Sequence, residues 1–195
     1  MPMRNEIQQR PAHRVTVFGG SKPQPNQPAY QEALLLGQLL GSQGYTVLTG
    51  GYIGTMEAVS RGAAESGGHV IGVTCDEIES WRPVNPNMWV QEEMRYSTLR
   101  ERLNTLIDHC DAALALPGGI GTLSEIVNMW SLLQINASAP RPLILIGPGW
   151  ETTFKSFYQE LGTYVAEKDR HWVRFASNVD ESFIMLQKML SQAVD

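Results

Sequence analysis

Charge is scarce in this chain, and no strong positive excess exists. Charged residues make up 18% of its 195 residues, and 20 Asp and Glu against 15 Lys and Arg leave a net charge of −5. That balance excludes a general nucleic-acid binder, which needs a basic face to displace counterions from phosphates. Only two cysteines occur, Cys75 and Cys110, too few for a disulfide scaffold and ordinary for a reducing compartment. The four histidines, His13, His69, His109 and His171, stand far from one another and from the cysteines, so no metal-ligand spacing is present and no metal is expected. No apolar run approaches the roughly 18 residues that span a bilayer, and no membrane partner is expected. The opening stretch MPMRNEIQQRPAHR lacks the apolar core of a signal peptide, so the expected compartment is the cytoplasm. Residues 1–12 read as a flexible N-terminal tail, and 13–195 as one domain long enough to bury a sizeable core.

What the chain does hold is alternation. RVTVF (14–18), YTVLT (45–49), HVIGVT (69–74), DAALAL (111–116), PLILI (142–146) and VRFA (173–176) are short runs rich in Val, Ile, Leu and Ala. They do not alternate apolar with polar residues, as expected for strands covered on both faces of a parallel sheet. Between them lie helical periods. Ala29, Ala33, Leu36 and Leu40 recur at helical spacing between Pro28 and Gly44, residues suited to a helix start and exit. Further helices are expected over 55–66, 98–110, 123–135, 150–165 and 181–194. The 98–110 helix has a Thr98/Glu101 capping box and an apolar face of Leu99, Leu103, Leu106 and Ile107. The expected fold is a single α/β domain, a doubly wound, mainly parallel sheet flanked by helices. Residues 75–96, with the acidic DEIES followed by RPVNPNMW, break the rhythm and read as a loop containing a short extended piece.

Three strand ends break into paired glycines: FGGSKPQ (18–24), TGGYIGT (49–55) and PGGIGT (117–122). In an open parallel sheet, ligands bind beyond the carboxyl ends of the strands. Glycine lets backbone amides approach a ligand closely, and a helix N-terminus adds unpaired N–H groups with partial positive charge. A tight strand-to-helix turn explains one such loop by packing alone. Three at one sheet edge indicate an anionic ligand, most simply a phosphate, held by Gly20, Ser21, Gly50, Gly51, Gly118, Gly119, Gly121 and Thr122. Gly50, Gly51 and Gly54 do not form the G-x-G-x-x-G dinucleotide fingerprint, and no G-x-x-x-x-G-K-[ST] occurs. Asp76 lies roughly twenty residues beyond the second loop, where a ribose-binding acid of a dinucleotide enzyme would stand. That leaves an oxidoreductase as a third alternative, although a single nucleotide suits the short chain better.

The stretch PGGIGTLSE resembles the PGGxGTxxE signature of the Lonely Guy (LOG) family, whose members were long mislabelled lysine decarboxylases. The resemblance extends through VFGGSKP, GGYIGTMEAV and LRERLNTLIDHCDAALALPGG. It implies a Rossmann-like fold and a homodimer or higher homo-oligomer with the active site near the subunit interface. It further implies a phosphoribohydrolase that cleaves the N-glycosidic bond of nucleoside 5′-monophosphates, cytokinin nucleotides being the known case, to free base and ribose 5-phosphate. The substrate would be AMP-like, and no cofactor is implied. Residue by residue, Arg102 falls where the family places its catalytic arginine and Glu125 where the signature ends in its acid. The chain departs from the family at Leu103, where a Lys is usual, at Leu99 in place of Met, and at Ser124 in place of a second acid. Its second loop, GGYIGTME, lacks the third consecutive glycine. Related branches include non-catalytic nucleotide-binding proteins and molybdenum-cofactor carriers, which supply the alternative reading.

On an ideal helix Arg100 and Arg102 flank the apolar stripe on opposite sides, so periodicity does not choose between them; the resemblance selects Arg102. Thr122 and Glu125 are spaced as a capping box, which competes with a catalytic role for Glu125. Glu77 and Glu79 are further acids near the third strand. Departure of a nucleobase leaves an oxocarbenium-like ribosyl centre. A carboxylate can stabilise that centre or deprotonate the attacking water, and a guanidinium can bind phosphate or the leaving base. The helix over 123–135 carries Ile126, Met129, Trp130, Leu133 and Ile135, more apolar surface than one sheet face covers. This helix or the 98–110 helix is therefore expected to pack across a two-fold dimer axis.

Overall fold

Every apolar run named above becomes a strand of one sheet. The computed structural model describes residues 12–192; nearly all of the expected N-terminal tail lies outside the described residues. In chain order the elements are β1 (Arg14–Phe18), α1 (Pro28–Ser42), β2 (Thr46–Thr49), α2 (Thr55–Glu65), β3 (His69–Cys75), α3 (Asp76–Trp81), β4 (Glu92–Tyr96), α4 (Leu99–Asp108), β5 (Ala112–Ala115), α5 (Ile120–Gln134), β6 (Leu143–Ile146), α6 (Pro148–Leu161), α7 (Glu167–Arg170), β7 (Val173–Ala176) and α8 (Val179–Gln192). A single 3₁₀ turn, Gly162–Tyr164, follows α6. The strands run in the order β4-β3-β2-β1-β5-β6-β7, and every pairing is parallel. No helix among the described residues is long and apolar enough to cross a membrane.

Both faces of the sheet are covered, which is why its strands are apolar without alternation. Val15, Val47, Val70, Leu114 and Ile144 point into one core with Leu36 and Leu40 of α1, Val59 of α2 and Leu186 of α8. Their neighbours Leu48, Ile71, Ala113 and Leu145 point to the other, with Leu106 of α4, Ile126 of α5 and Phe154 of α6. Trp130 of α5 lies against Phe154, Phe157 and Tyr158 of α6. Ile126, Met129, Trp130 and Leu133 are thus buried within the chain, whereas Ile135 stays exposed.

Helices α1 and α2 approach each other through glycines. A Cβ built on Gly62 would collide with the Leu34 carbonyl oxygen and lie 2.8 Å from the Gln38 nitrogen, both backbone atoms that cannot swing aside. Replacing a helical glycine with alanine ordinarily gains about 0.5–1 kcal/mol. Here the overpacking cost of roughly 1–3 kcal/mol wins. Gly62→Ala is expected to lower the Tm by several degrees in a thermal melt, and an unchanged or higher Tm contradicts this packing.

The structure differs from the sequence expectation at three places. The segment 75–96 is more ordered than a loop: Asp76–Trp81 is a helix, and the extended piece is the parallel edge strand β4. Helix α5 starts at Ile120 with Gly119 as N-cap and no side-chain cap. Thr122 and Glu125 therefore lie inside the helix and form no capping box. On α4 the Thr98/Glu101 box is present, but Leu99 at the first helical position is 48% exposed instead of joining the apolar face.

The chain runs outward from β1 to β4 and then returns to place β5 on the other side of β1. The loops after β1 and β5 consequently leave neighbouring strand ends in opposite directions and open a crevice between them.

Candidate active site

The crevice is built from the three glycine loops. The Leu116 amide donates to the Phe18 carbonyl at 2.9 Å, and the Gly20 amide donates to the Pro117 carbonyl at 3.2 Å. A Cβ on Gly20 would sit 3.3 Å from the Pro117 oxygen and 3.4 Å from the Gly118 Cα, so the first and third loops pack backbone to backbone. The second loop joins through Thr55, whose amide and Oγ1 donate to the Gly20 carbonyl at 2.9 and 3.0 Å. Gly54 at the head of α2 has φ +78°, and a Cβ there would lie 2.6 Å from the Ser21 Cα. Glycine is required at that position on both counts. Above this floor lies a cavity of about 600 Å³, within the range of small-molecule sites.

Gly20, Ser21, Gly118, Gly119, Gly121, Thr122, Arg102 and Glu125 all line the cavity. Gly50 and Gly51 stand one layer behind it. A Cβ on Gly50 would collide with Arg102 Nη2, so that glycine clears space for the guanidinium. Gly51, at φ +76°, has its carbonyl held by the amide and Nδ2 of Asn87 at 2.8 and 3.0 Å. At the opposite wall α5 begins without a side-chain cap, so the amides of its first turn are available to an anion.

Arg102 and Glu125 form a buried pair on the floor, 5% and 9% exposed. Arg102 Nε donates to the Val73 carbonyl at 2.8 Å, and its Cζ lies 5.9 Å from the centre of the Tyr52 ring. Nη1 stands 3.5 Å from Glu125 Oε1, longer than the roughly 2.7–2.9 Å of a closed charge-assisted hydrogen bond. The pair attracts without being locked. Burial pushes the Glu125 carboxyl up to about 7, against the opposing pull of Arg102. A carboxyl that is half ionised near neutral pH is poised for proton transfer. Arg100, by contrast, is exposed.

Several lining residues escaped the sequence reading, among them Lys22, Tyr52, Trp81 and Arg82. Trp81 and Arg82 come from the segment that broke the strand–helix rhythm, and that break was the available signal. Tyr52 sits under Arg102 and stays protonated, because burial pushes its phenol up to about 12. Its oxygen accepts from the Cys75 amide at 2.9 Å, and its proton is offered to the Cys75 carbonyl and Glu79 Oε1, each at 3.2 Å. Glu79 is in turn gripped by both Nη atoms of Arg95, at 3.0 and 2.6 Å. Asp76 binds the same arginine through its Nε at 2.9 Å, and Glu77 accepts from the Leu99 amide at the start of α4. None of Asp76, Glu77 and Glu79 lines the cavity; they fasten α3 to β4 and α4.

Comparison with known proteins identifies the family. The sequence model of the family described as "Possible lysine decarboxylase" matches residues 56–186. The probable cytokinin riboside 5′-monophosphate phosphoribohydrolase LOGL5 of Oryza sativa subsp. japonica is 34% identical over 126 residues, covering 63% of this chain and 50% of that protein. The cytokinin riboside 5′-monophosphate phosphoribohydrolase LOG of the same plant is 30% identical over 183 residues, covering 92% of this chain and 74% of that protein. The match thus spans half the length of the first relative and about three quarters of the second. Among solved structures, the molybdenum cofactor binding protein of Rippkaea orientalis superposes with a TM-score of 0.70 at 25% identity, covering 92% of this chain and 98% of that one.

Proposed function

Because this chain belongs to the possible lysine decarboxylase family, which includes the Lonely Guy proteins, we propose that it is a nucleoside 5′-monophosphate phosphoribohydrolase of the cytokinin-activating type. The observation that carries this reading is the buried Arg102–Glu125 pair beneath a cavity whose far wall is an uncapped helix N-terminus. The 5′-phosphate is held by Ser21 and the amides of Gly119, Gly121 and Thr122, where the α5 dipole favours negative charge. The ribose lies over Glu125. As the C1′–N bond breaks, its electron pair leaves with the base; the carboxylate stabilises the cationic sugar and takes a proton from the attacking water, and that proton passes on to the base nitrogen, which leaves neutral. Arg102 orients Glu125 and offers its remaining donors to the ligand. Gly50 serves the phosphate site indirectly by clearing space for Arg102, and Gly51 does so by anchoring the second loop to Asn87.

Incubating the protein with a panel of nucleoside 5′-monophosphates should release free base and ribose 5-phosphate in equal amounts. A bound nucleotide or pterin recovered intact, with no base released from any member of the panel, favours the carrier reading. The likeness to the Rippkaea protein over nearly its whole length is the observation behind that second reading.

We further propose that the protein works in the cytoplasm as a homodimer or higher homo-oligomer. Ile120 and Val127 of α5, Ile135 just beyond it and Leu99 of α4 leave apolar side chains exposed, and burying them against a second copy lowers the free energy. Sedimentation velocity that finds only a monomer at micromolar concentration rejects this assembly.

A further inference from the structure

Four charged side chains line the cavity: Lys22, Arg82, Arg102 and Glu125. Arg102 is already engaged by Glu125 and the Val73 carbonyl, and Lys22 is an exposed side chain on the first loop. Arg82 differs from both. It follows the last residue of α3, is half-buried, and reaches back across the cavity to the first glycine loop, where its Nη1 donates to Ser21 Oγ at 3.1 Å. Its Cζ lies 5.7 Å from the centre of the Trp81 ring. Its Nε is fully buried and has no hydrogen-bond partner among the described residues. An N–H donor on a charged group, shut away from water and unpaired, is a cost of about 1–3 kcal/mol that the fold bears to hold the guanidinium at the cavity wall.

From these contacts we infer that Arg82 is a phosphate ligand, binding the phosphomonoester end of the substrate together with Ser21 and the N-terminus of α5. The inference rests on the nucleotide reading of the cavity given above. Ser21 lies in the loop that is hydrogen-bonded to Pro117, directly before the glycines that open α5, so the guanidinium and the helix amides face the same corner. Because Ser21 Oγ accepts from Nη1, its own proton is free to donate to the phosphate. The Nη1 contact leaves Nη2 and the second Nη1 proton of the planar guanidinium for phosphate oxygens. The arginine thereby contributes a second positive charge beside the helix dipole and makes the 5′-phosphate a condition of binding. The competing role is a tether that fastens α3 to the first loop, and it predicts a loss of stability without a loss of phosphate recognition.

Calorimetric titration with inorganic phosphate and with ribose 5-phosphate separates the two roles. Arg82→Gln is expected to weaken both ligands about 10- to 100-fold and to erase most of the preference for a nucleoside 5′-monophosphate over its unphosphorylated nucleoside. Arg82→Lys, which keeps the charge but not the planar fork, is expected to fall in between with a melt like that of the wild type. If the Gln variant does not fold, the Lys variant decides, and Lys affinities equal to wild type overturn the proposal. Equal affinities of a folded Gln variant and the wild type overturn it too, as does a wild type that binds neither phosphate compound. Failure of the hydrolase reading shows differently: a wild type that binds ribose 5-phosphate yet cleaves no nucleotide refutes hydrolysis and leaves the Arg82 comparison intact.

Discussion

Glu125→Gln is expected to lower turnover of the preferred nucleoside monophosphate by about 10²-fold or more, the scale of losing an electrostatic or general-base group. The amide keeps the shape of the carboxyl and its place on α5, so ligand binding changes little. The same substitution is expected to stabilise the protein above neutral pH. In the unfolded chain this carboxyl titrates near 4.5, and burial in the fold moves it to about 7. A raised folded value means that the folded state holds the proton more tightly. The contribution of Glu125 to stability is therefore fully present below about pH 4.5 and is lost as the pH rises through 7, a change of about 3 kcal/mol. Glutamine is free of that penalty. Thermal melts at pH 8 should show the variant several degrees above the wild type, with the gap closing toward pH 4.5. The wild-type kcat/KM should rise with pH through about 7 as the base ionises, a limb that the Gln variant lacks. A Gln variant that remains fully active removes Glu125 from the chemistry.

Arg102→Ala is expected to reduce kcat/KM by about 10²- to 10³-fold, because the guanidinium acts on the ligand in both ground and transition states. It should also destabilise the fold by about 1–3 kcal/mol, because the buried Val73 carbonyl loses its donor, while Glu125 takes up a proton in place of its lost partner. Arg102 is the influence holding the Glu125 carboxyl down, so its removal should move the acid limb of any residual activity to higher pH. That shift is the diagnostic readout, since general loss of structure would lower activity without moving the profile. Arg100→Ala, on the exposed side of the same helix, is the control and should behave as wild type. If the Arg100 and Arg102 variants behave alike, the assignment of the guanidinium is wrong.

The strands were legible because they form a doubly covered parallel sheet, and that environment selects apolar residues at every position, as in AALA of β5 and LILI of β6. The third glycine loop was equally legible, since a strand that must turn into a helix through PGGIGT has few other conformations. Segment 75–96 was harder to read. DEIESW is a six-residue helix held by Arg95, a residue 14 positions beyond its end, and no local spacing encodes that bond. Arg82 reaches the site through Ser21, 61 positions earlier, and that separation hid Trp81 and Arg82, although their departure from the strand–helix rhythm was visible.

Composition, period and motif determined by themselves that this is an α/β chain with glycine loops at the carboxyl edge of its sheet, one of them opening a helix. Those are consequences of local backbone freedom and of the apolar burial that each residue needs. Tertiary structure alone decided which arginine enters the cavity and where Glu125 points. Arg100 and Arg102 are equivalent by helical period, but only Arg102 meets the Val73 carbonyl and the space left by the missing side chain of Gly50. The Thr122–Glu125 spacing permits a capping box, yet α5 begins at Ile120 and turns the glutamate inward toward that guanidinium. Spacing limits which neighbours a side chain can meet along its own helix, and the packing of distant elements determines which of them it meets.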